Sequence, residues 1–145
     1  MKHKSSDTLV PDELLKSVVE FHGHLGPFLV LGVKAGLLAN SMLGKDYFET
    51  TAVITTDPSP PNSCFVDGIQ FTTGCTMGKG NIKLRRGKGV SVLFSRGNRK
   101  IRLRLKRNML GYVKSISSEK ASKDASLSLL GKAASELFEI ERLAT

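Results

Sequence analysis

The sequence predicts an α+β domain, with N-terminal helices packed on an antiparallel sheet and a C-terminal amphipathic helix closing the chain. Three observations carry this prediction. Residues 10–21 and 27–43 show helical apolar spacing, residues 100–107 alternate strictly between apolar and basic, and residues 122–143 return to helical spacing.

In order along the chain, residues 1–9 read as a flexible polar leader and 10–145 as one domain. Leu14, Leu15, Val18 and Val19 place one apolar side on a helix over 10–21. Pro27 suits the first position of a second helix, where its missing N–H costs nothing and its φ already fits. That helix, 27–43, is apolar almost all round apart from Lys34 and Asn40, so it is expected at the centre of the fold. Gly32 and Gly36 lie on one face of it and admit a closely packed neighbour. The β-branched run at 50–56 predicts a strand. Residues 57–62 (DPSPPN) form a loop, and 64–71 a short helix with Cys64 in its first turn. Strands at 82–84, 90–94 and 100–107, separated by glycine turns, make a meander. The last, with Ile101, Leu103 and Leu105 alternating with Arg102, Arg104 and Lys106, describes a sheet with one wet face. Leu127, Leu130, Ala134 and Leu137 extend helical spacing over 122–143.

Composition removes several function classes. No run of 18 apolar residues exists, so no membrane-spanning helix is expected. Two cysteines cannot build a disulfide framework, which makes reduced thiols and a cytoplasmic location the expectation. The net charge of +9 is uneven: residues 68–118 hold 13 of the 22 Lys and Arg and no Asp or Glu, leaving 9 basic against 13 acidic residues elsewhere. That stretch attracts anions, but it offers only Phe71, Phe94 and Tyr112 as aromatics, which argues against a nucleic-acid-binding module.

Chemistry concentrates in three places. Phe21-His22-Gly23-His24-Leu25-Gly26-Pro27-Phe28 sets two imidazoles in a bend between helices. Imidazole is the commonest metal ligand and titrates near neutrality. Cys64, at a helix N-terminus, is favoured as thiolate by the helix dipole, and Asp67 and Gln70 follow it on the same face. Cys75 lies in Thr73-Gly74-Cys75-Thr76-Met77-Gly78-Lys79-Gly80-Asn81, whose backbone N–H groups could face an anion. This loop is not a P-loop: it is one residue short, and Gly80 occupies the place of the required Ser or Thr. Gly78, Lys79 and Gly80 are its candidate anion- or substrate-binding residues. His22, His24, Cys64 and Cys75 form a candidate donor set for a divalent metal ion, zinc being the best chemical match. Cys64, His22 and Asp67 are the candidate catalytic residues.

The blocks FHGHLGPFLVLG (21–32), CFVDGIQ (64–70) and TGCTMGKGN (73–81) resemble the signature blocks of the FmdE family, in order and spacing. That family is named for one component of the molybdenum- or tungsten-containing formylmethanofuran dehydrogenase of methane-forming archaea. The resemblance implies an α+β core that tends to form homodimers, with the His and Cys blocks converging on a metal or active site. Carried over by motif, His22, His24, Cys64, Asp67 and Cys75 are its key positions. Two departures limit the transfer. Gly26-Pro27 stands where many relatives have Cys-Pro, and no cysteine follows Cys75, so the C-terminal zinc domain of longer relatives is absent from the expectation.

Three functions stay open. The first is a metal site, or a thiol site in which His22 or His24 activates Cys64. The second is an accessory or scaffold role, docking oxidoreductase partner subunits through the basic sheet at Arg102 and Arg104. The third, weaker one is nucleic-acid binding. Two cysteines cannot hold an iron–sulfur cluster alone, so such redox chemistry would belong to partners.

Overall fold

A computed structural model of the chain describes residues 9–143. The predicted leader therefore lies, except for Leu9, outside the described residues. Helix α1 (Asp12–His22) ends where Gly23 adopts φ 113°, a left-handed conformation that side chains resist, and its N–H caps the helix on the Val19 carbonyl at 2.7 Å. Helix α2 (Pro27–Leu43) starts with Pro27 in its first turn and is buried along most of its length, as its all-round hydrophobicity demands.

Strand β1 (Thr50–Thr56) follows, then α3 (Cys64–Thr73) and β2 (Ile82–Arg86). Helices α2 and α3 cross in backbone contact. A Cβ on Gly32 would strike the Phe65 carbonyl, and one on Gly68 would fall 2.6 Å from the Val33 nitrogen. Strands β3 (Ser91–Arg96) and β4 (Arg99–Leu105) form the expected hairpin. Helix α4 (Arg107–Lys114), which the alternating pattern did not announce, leads to α5 (Glu119–Leu130), one-turn α6 (Ala134–Leu137) and β5 (Phe138–Leu143).

The α+β class holds, with a five-stranded sheet in the order β2-β1-β3-β4-β5. Two parts of the prediction need correction. The sheet is mixed: β1 and β2 pair in parallel, Ala52 opposite Ile82, while the other pairs are antiparallel. The cause is α3, which returns the chain to the sheet end where β1 began, so β2 can only run alongside β1. The C-terminal helix also stops at Leu130 instead of continuing to 143. After Gly131, Phe138-Glu139-Ile140-Glu141 takes up a two-residue period against β4, with Glu141 opposite Arg102 and Glu139 opposite Arg104. Cross-strand pairs of opposite charge favour that register over further helix.

The main core lies between α2, α3, α5 and one face of the sheet, with Phe65, Phe94, Phe138, Ile54 and Leu103 fully buried. Each such side chain contributes about 1.5–3 kcal/mol of burial. A smaller cluster of Val18, Leu29 and Val33 seats α1 against α2. No helix among the described residues is long and apolar enough to cross a membrane.

Candidate functional site

Two short-range features prepare the site. The left-handed Gly23 turns the chain sharply between His22 and His24, and α3 presents Asp67 from its first turn, where a negative charge is favourable. Packing of α2 on α3 and of α1 on α2 then brings His22 to Asp67 across 45 residues of sequence, Nδ1 to Oδ2 at 2.6 Å. The carboxylate accepts the Nδ1 proton, which leaves Nε2 as the lone-pair nitrogen. That Nε2 is buried and has no hydrogen-bond partner. Most buried polar atoms are satisfied, and leaving one unpaired costs about 1–3 kcal/mol.

His24 repeats the pattern on the outside. Its Nδ1 donates to the Leu25 carbonyl at 3.2 Å, so its Nε2 also carries the lone pair. The two rings sit 4.9 Å apart between centroids, tilted 43°. Gly26 leaves room for this, since a Cβ there would press on the His24 ring at 3.1 Å.

Cys64 is half-buried in the first turn of α3 and packs against the main core. Its thiol is pushed above the usual range, first by burial and then by the Asp67 charge. The helix-dipole argument for a ready thiolate is therefore outweighed by desolvation and a neighbouring anion. Cys75 is fully buried; its Sγ–H donates to the Thr50 carbonyl at 3.3 Å, and burial raises its pKa as well. Its place is in the core. Among the described residues, no group of three or more His, Cys, Asp and Glu side chains is arranged to hold a metal ion.

Gln70, one turn beyond Asp67, ties the site to the glycine loop. Its Nε2 donates to Asp67 Oδ1 at 3.4 Å and its Oε1 accepts the Met77 N–H at 3.0 Å. That loop closes on itself: the N–H groups of Lys79 and Gly80 both point to the Thr76 carbonyl, at 3.2 and 3.1 Å. They are not presented as a backbone anion cradle, so the Lys79 side chain is what the loop offers an anion. Asp67, Ser63 and Lys83 line a cavity of about 330 Å³, whereas His24 opens onto a different hollow beside Lys120 and Lys123. A second cavity, between Phe21, Tyr47, Phe71 and Met77, escaped the sequence reading. Its only advance signal was the pair of aromatics, Tyr47-Phe48, in an otherwise polar connection.

Comparison with known proteins puts these features in context. Over 86 residues the chain is 36% identical to a protein of Archaeoglobus fulgidus described as a probable S-adenosyl-L-methionine-binding protein. The match takes in 57% of this chain and 24% of that relative's length. The fold is that of an FmdE-like protein of the tungsten formylmethanofuran dehydrogenase type from Syntrophus aciditrophicus. The TM-score is 0.63 at 19% identity, over 92% of this chain and 72% of the other. A family model described as FmdE, molybdenum formylmethanofuran dehydrogenase operon, matches residues 21–141, a span that contains His22, His24, Cys64, Asp67 and the glycine loop. The chain belongs to the FmdE family.

Proposed function

We propose that this FmdE-family protein carries a metal-dependent reactive centre anchored on His22. One observation supports it above the others: the Asp67 carboxylate holds His22 in the tautomer whose Nε2 is free, and that Nε2 is buried without a partner. A carboxylate behind an imidazole is the usual support of a metal-ligating histidine, fixing its ring and raising its basicity. The donor chemistry fits zinc, with His24 Nε2 and the Cys64 thiol as further donors. Cys75 leaves the donor set because its thiol is committed to the core. A bound zinc ion would supply a Lewis acid to polarise a substrate oxygen. Asp67 orients His22, Gln70 holds Asp67 and the loop in register, and Lys79 meets an anionic substrate group.

The metal-free alternative, a thiolate at Cys64, receives less support because burial and Asp67 both disfavour the charged sulfur. The deciding experiment is elemental analysis of untagged protein, with His22→Ala and Cys64→Ser alongside. Near-stoichiometric zinc lost in both variants supports the reading. Metal-free wild type that also fails to take up added zinc overturns it.

A second reading, a homodimer able to act within a larger oxidoreductase, draws on the sheet face opposite the core. There Val53 and Leu93 are only half-buried, with Lys83 and Arg85 at the β2 edge and Glu139 and Glu141 at the β5 edge. A two-fold axis parallel to the strands through β3 would lay each basic edge over the partner's acidic edge. Arg102 and Arg104 already face Glu141 and Glu139, at 3.3 and 4.0 Å, so this face is less basic than the sequence implied. Leu93→Glu should yield folded monomers by light scattering; an unchanged dimer, or a monomeric wild type, removes this interface.

A further inference from the structure

We propose that the hollow bounded by the end of α1, the α2–β1 connection and the glycine loop after α3 binds a small planar aromatic molecule bearing an anionic group. This extends the reading of Lys79 as an anion contact and does not depend on a metal at His22.

The first argument is apolar exposure concentrated in one place. Phe21 is 54% exposed, Tyr47 53%, Phe48 77% and Met77 78%, and all four gather at this hollow or on its rim. Scattered exposed apolar residues need no explanation, but a cluster of them around a concavity marks a binding surface. The shape selects the kind of occupant. The cavity holds about 460 Å³, lined chiefly by Phe21, Tyr47, Gln70, Phe71, Met77 and Lys79. Small-molecule sites span about 300–1,000 Å³. A protein interface instead needs about 800 Å² of surface per partner.

The walls select a ring. Phe21 and Phe71 lie 5.6 Å apart between centroids, tilted 42°, on one side, and Tyr47 lines another. An aromatic ligand finds offset and edge-to-face partners in this arrangement, where an aliphatic one finds only area.

The rim selects charge. Lys79 Nζ lies 5.5 Å from the Phe48 centroid and 5.7 Å from that of Tyr47, while Lys45 Nζ stands 4.7 Å over Tyr47. Cation–π contact holds the ammonium groups at the cavity mouth. Among the described residues neither lysine is ion-paired with a carboxylate, and no Asp or Glu lines the cavity. Two ammonium groups above an aromatic floor complement a ligand whose ring goes down and whose phosphate or carboxylate stays at the surface. Gln70, which reaches both this wall and Asp67, places such a ligand one side chain from the His22–Asp67 pair.

The test uses naphthalene probes, whose fluorescence is readable because the chain contains no Trp. 1-Naphthyl phosphate and 1-naphthoate are titrated against wild type, with 1-naphthol supplying the ring alone and inorganic phosphate the charge alone. Saturable binding of one anionic naphthalene, at least tenfold tighter than naphthol and than phosphate, is expected; which anion binds tighter identifies the group. Lys79→Met should erase the preference over naphthol, and Tyr47→Leu should weaken all ring-bearing probes. Met77→Glu, at a surface position with little bearing on folding, should weaken the anionic probes about tenfold by placing a carboxylate at the mouth. His22→Ala should leave binding unchanged, which separates this cavity from the metal reading. Equal affinity for naphthol and the anionic probes, binding indifferent to Lys79→Met and Met77→Glu, or no saturable binding overturns the proposal.

Discussion

Asp67→Asn is the most informative single change, because Asp67 touches both His22 and the environment of Cys64. The replacement keeps size and shape but removes the charge that faces His22 Nδ1 at 2.6 Å. A hydrogen bond to a charged group contributes about 1.5–3 kcal/mol and a neutral one about 0.5–1.5, so roughly 1 kcal/mol should be lost. His22's side chain is 9% exposed, which keeps the contact out of water, whereas Asp67 at 36% is screened enough to hold the loss at the low end. For a domain of this size about 1 kcal/mol corresponds to roughly 3 °C in Tm. Calorimetry measures that directly. The same variant removes the anion that helps to hold the Cys64 thiol up, so the midpoint of its alkylation by iodoacetamide should move to lower pH. It should not fall all the way to that of an ordinary thiol, because burial is the larger cause. An unchanged Tm together with an unchanged alkylation midpoint would refute the role assigned to Asp67. A lower Tm with no change at Cys64 would confine that role to His22.

Gly68→Ala should destabilise by about 1–3 kcal/mol in urea unfolding, since its Cβ would meet α2 backbone that cannot move aside; an unchanged midpoint would mean the helices separate freely. Arg96 and Arg99 each donate to the Leu43 carbonyl at 2.8 Å, at the negative end of α2, and the double change to Met should cost about 1 kcal/mol or more, read by the same assay. Cys75 supplies a pH test. Burial raises its thiol pKa above that of the unfolded chain, so its contribution is fully present below the ordinary thiol range and is lost as pH climbs through the raised value. Cys75→Val should flatten the alkaline fall in unfolding free energy; an identical fall in both proteins would assign it elsewhere.

The sequence by itself determined whatever depends on neighbours a few residues apart. Gly23 and Pro27 set the bend that separates His22 from His24, the all-round hydrophobicity of residues 27–43 made α2 central, and three-residue spacing put Asp67 on the Cys64 side of α3. Alternation marked β4 correctly, and the same two-residue signal at Phe138-Glu139-Ile140-Glu141 was masked by helical spacing carried on from Leu127 and Leu130. Leu127 proves to be half exposed, and it is Leu129 that faces the core. Only the tertiary structure decided the rest. The parallel pairing of β2 depends on where α3 delivers the chain, and the acid-free stretch finds its countercharges on β5 and at Asp46. Cys75 goes to the core although its loop sequence resembles a site. The His22–Asp67 contact joins two helices by packing each against α2, so no local pattern encodes it. Periodicity reports which way a side chain faces on its own element; what it meets there is decided when helices and sheet close on a shared core.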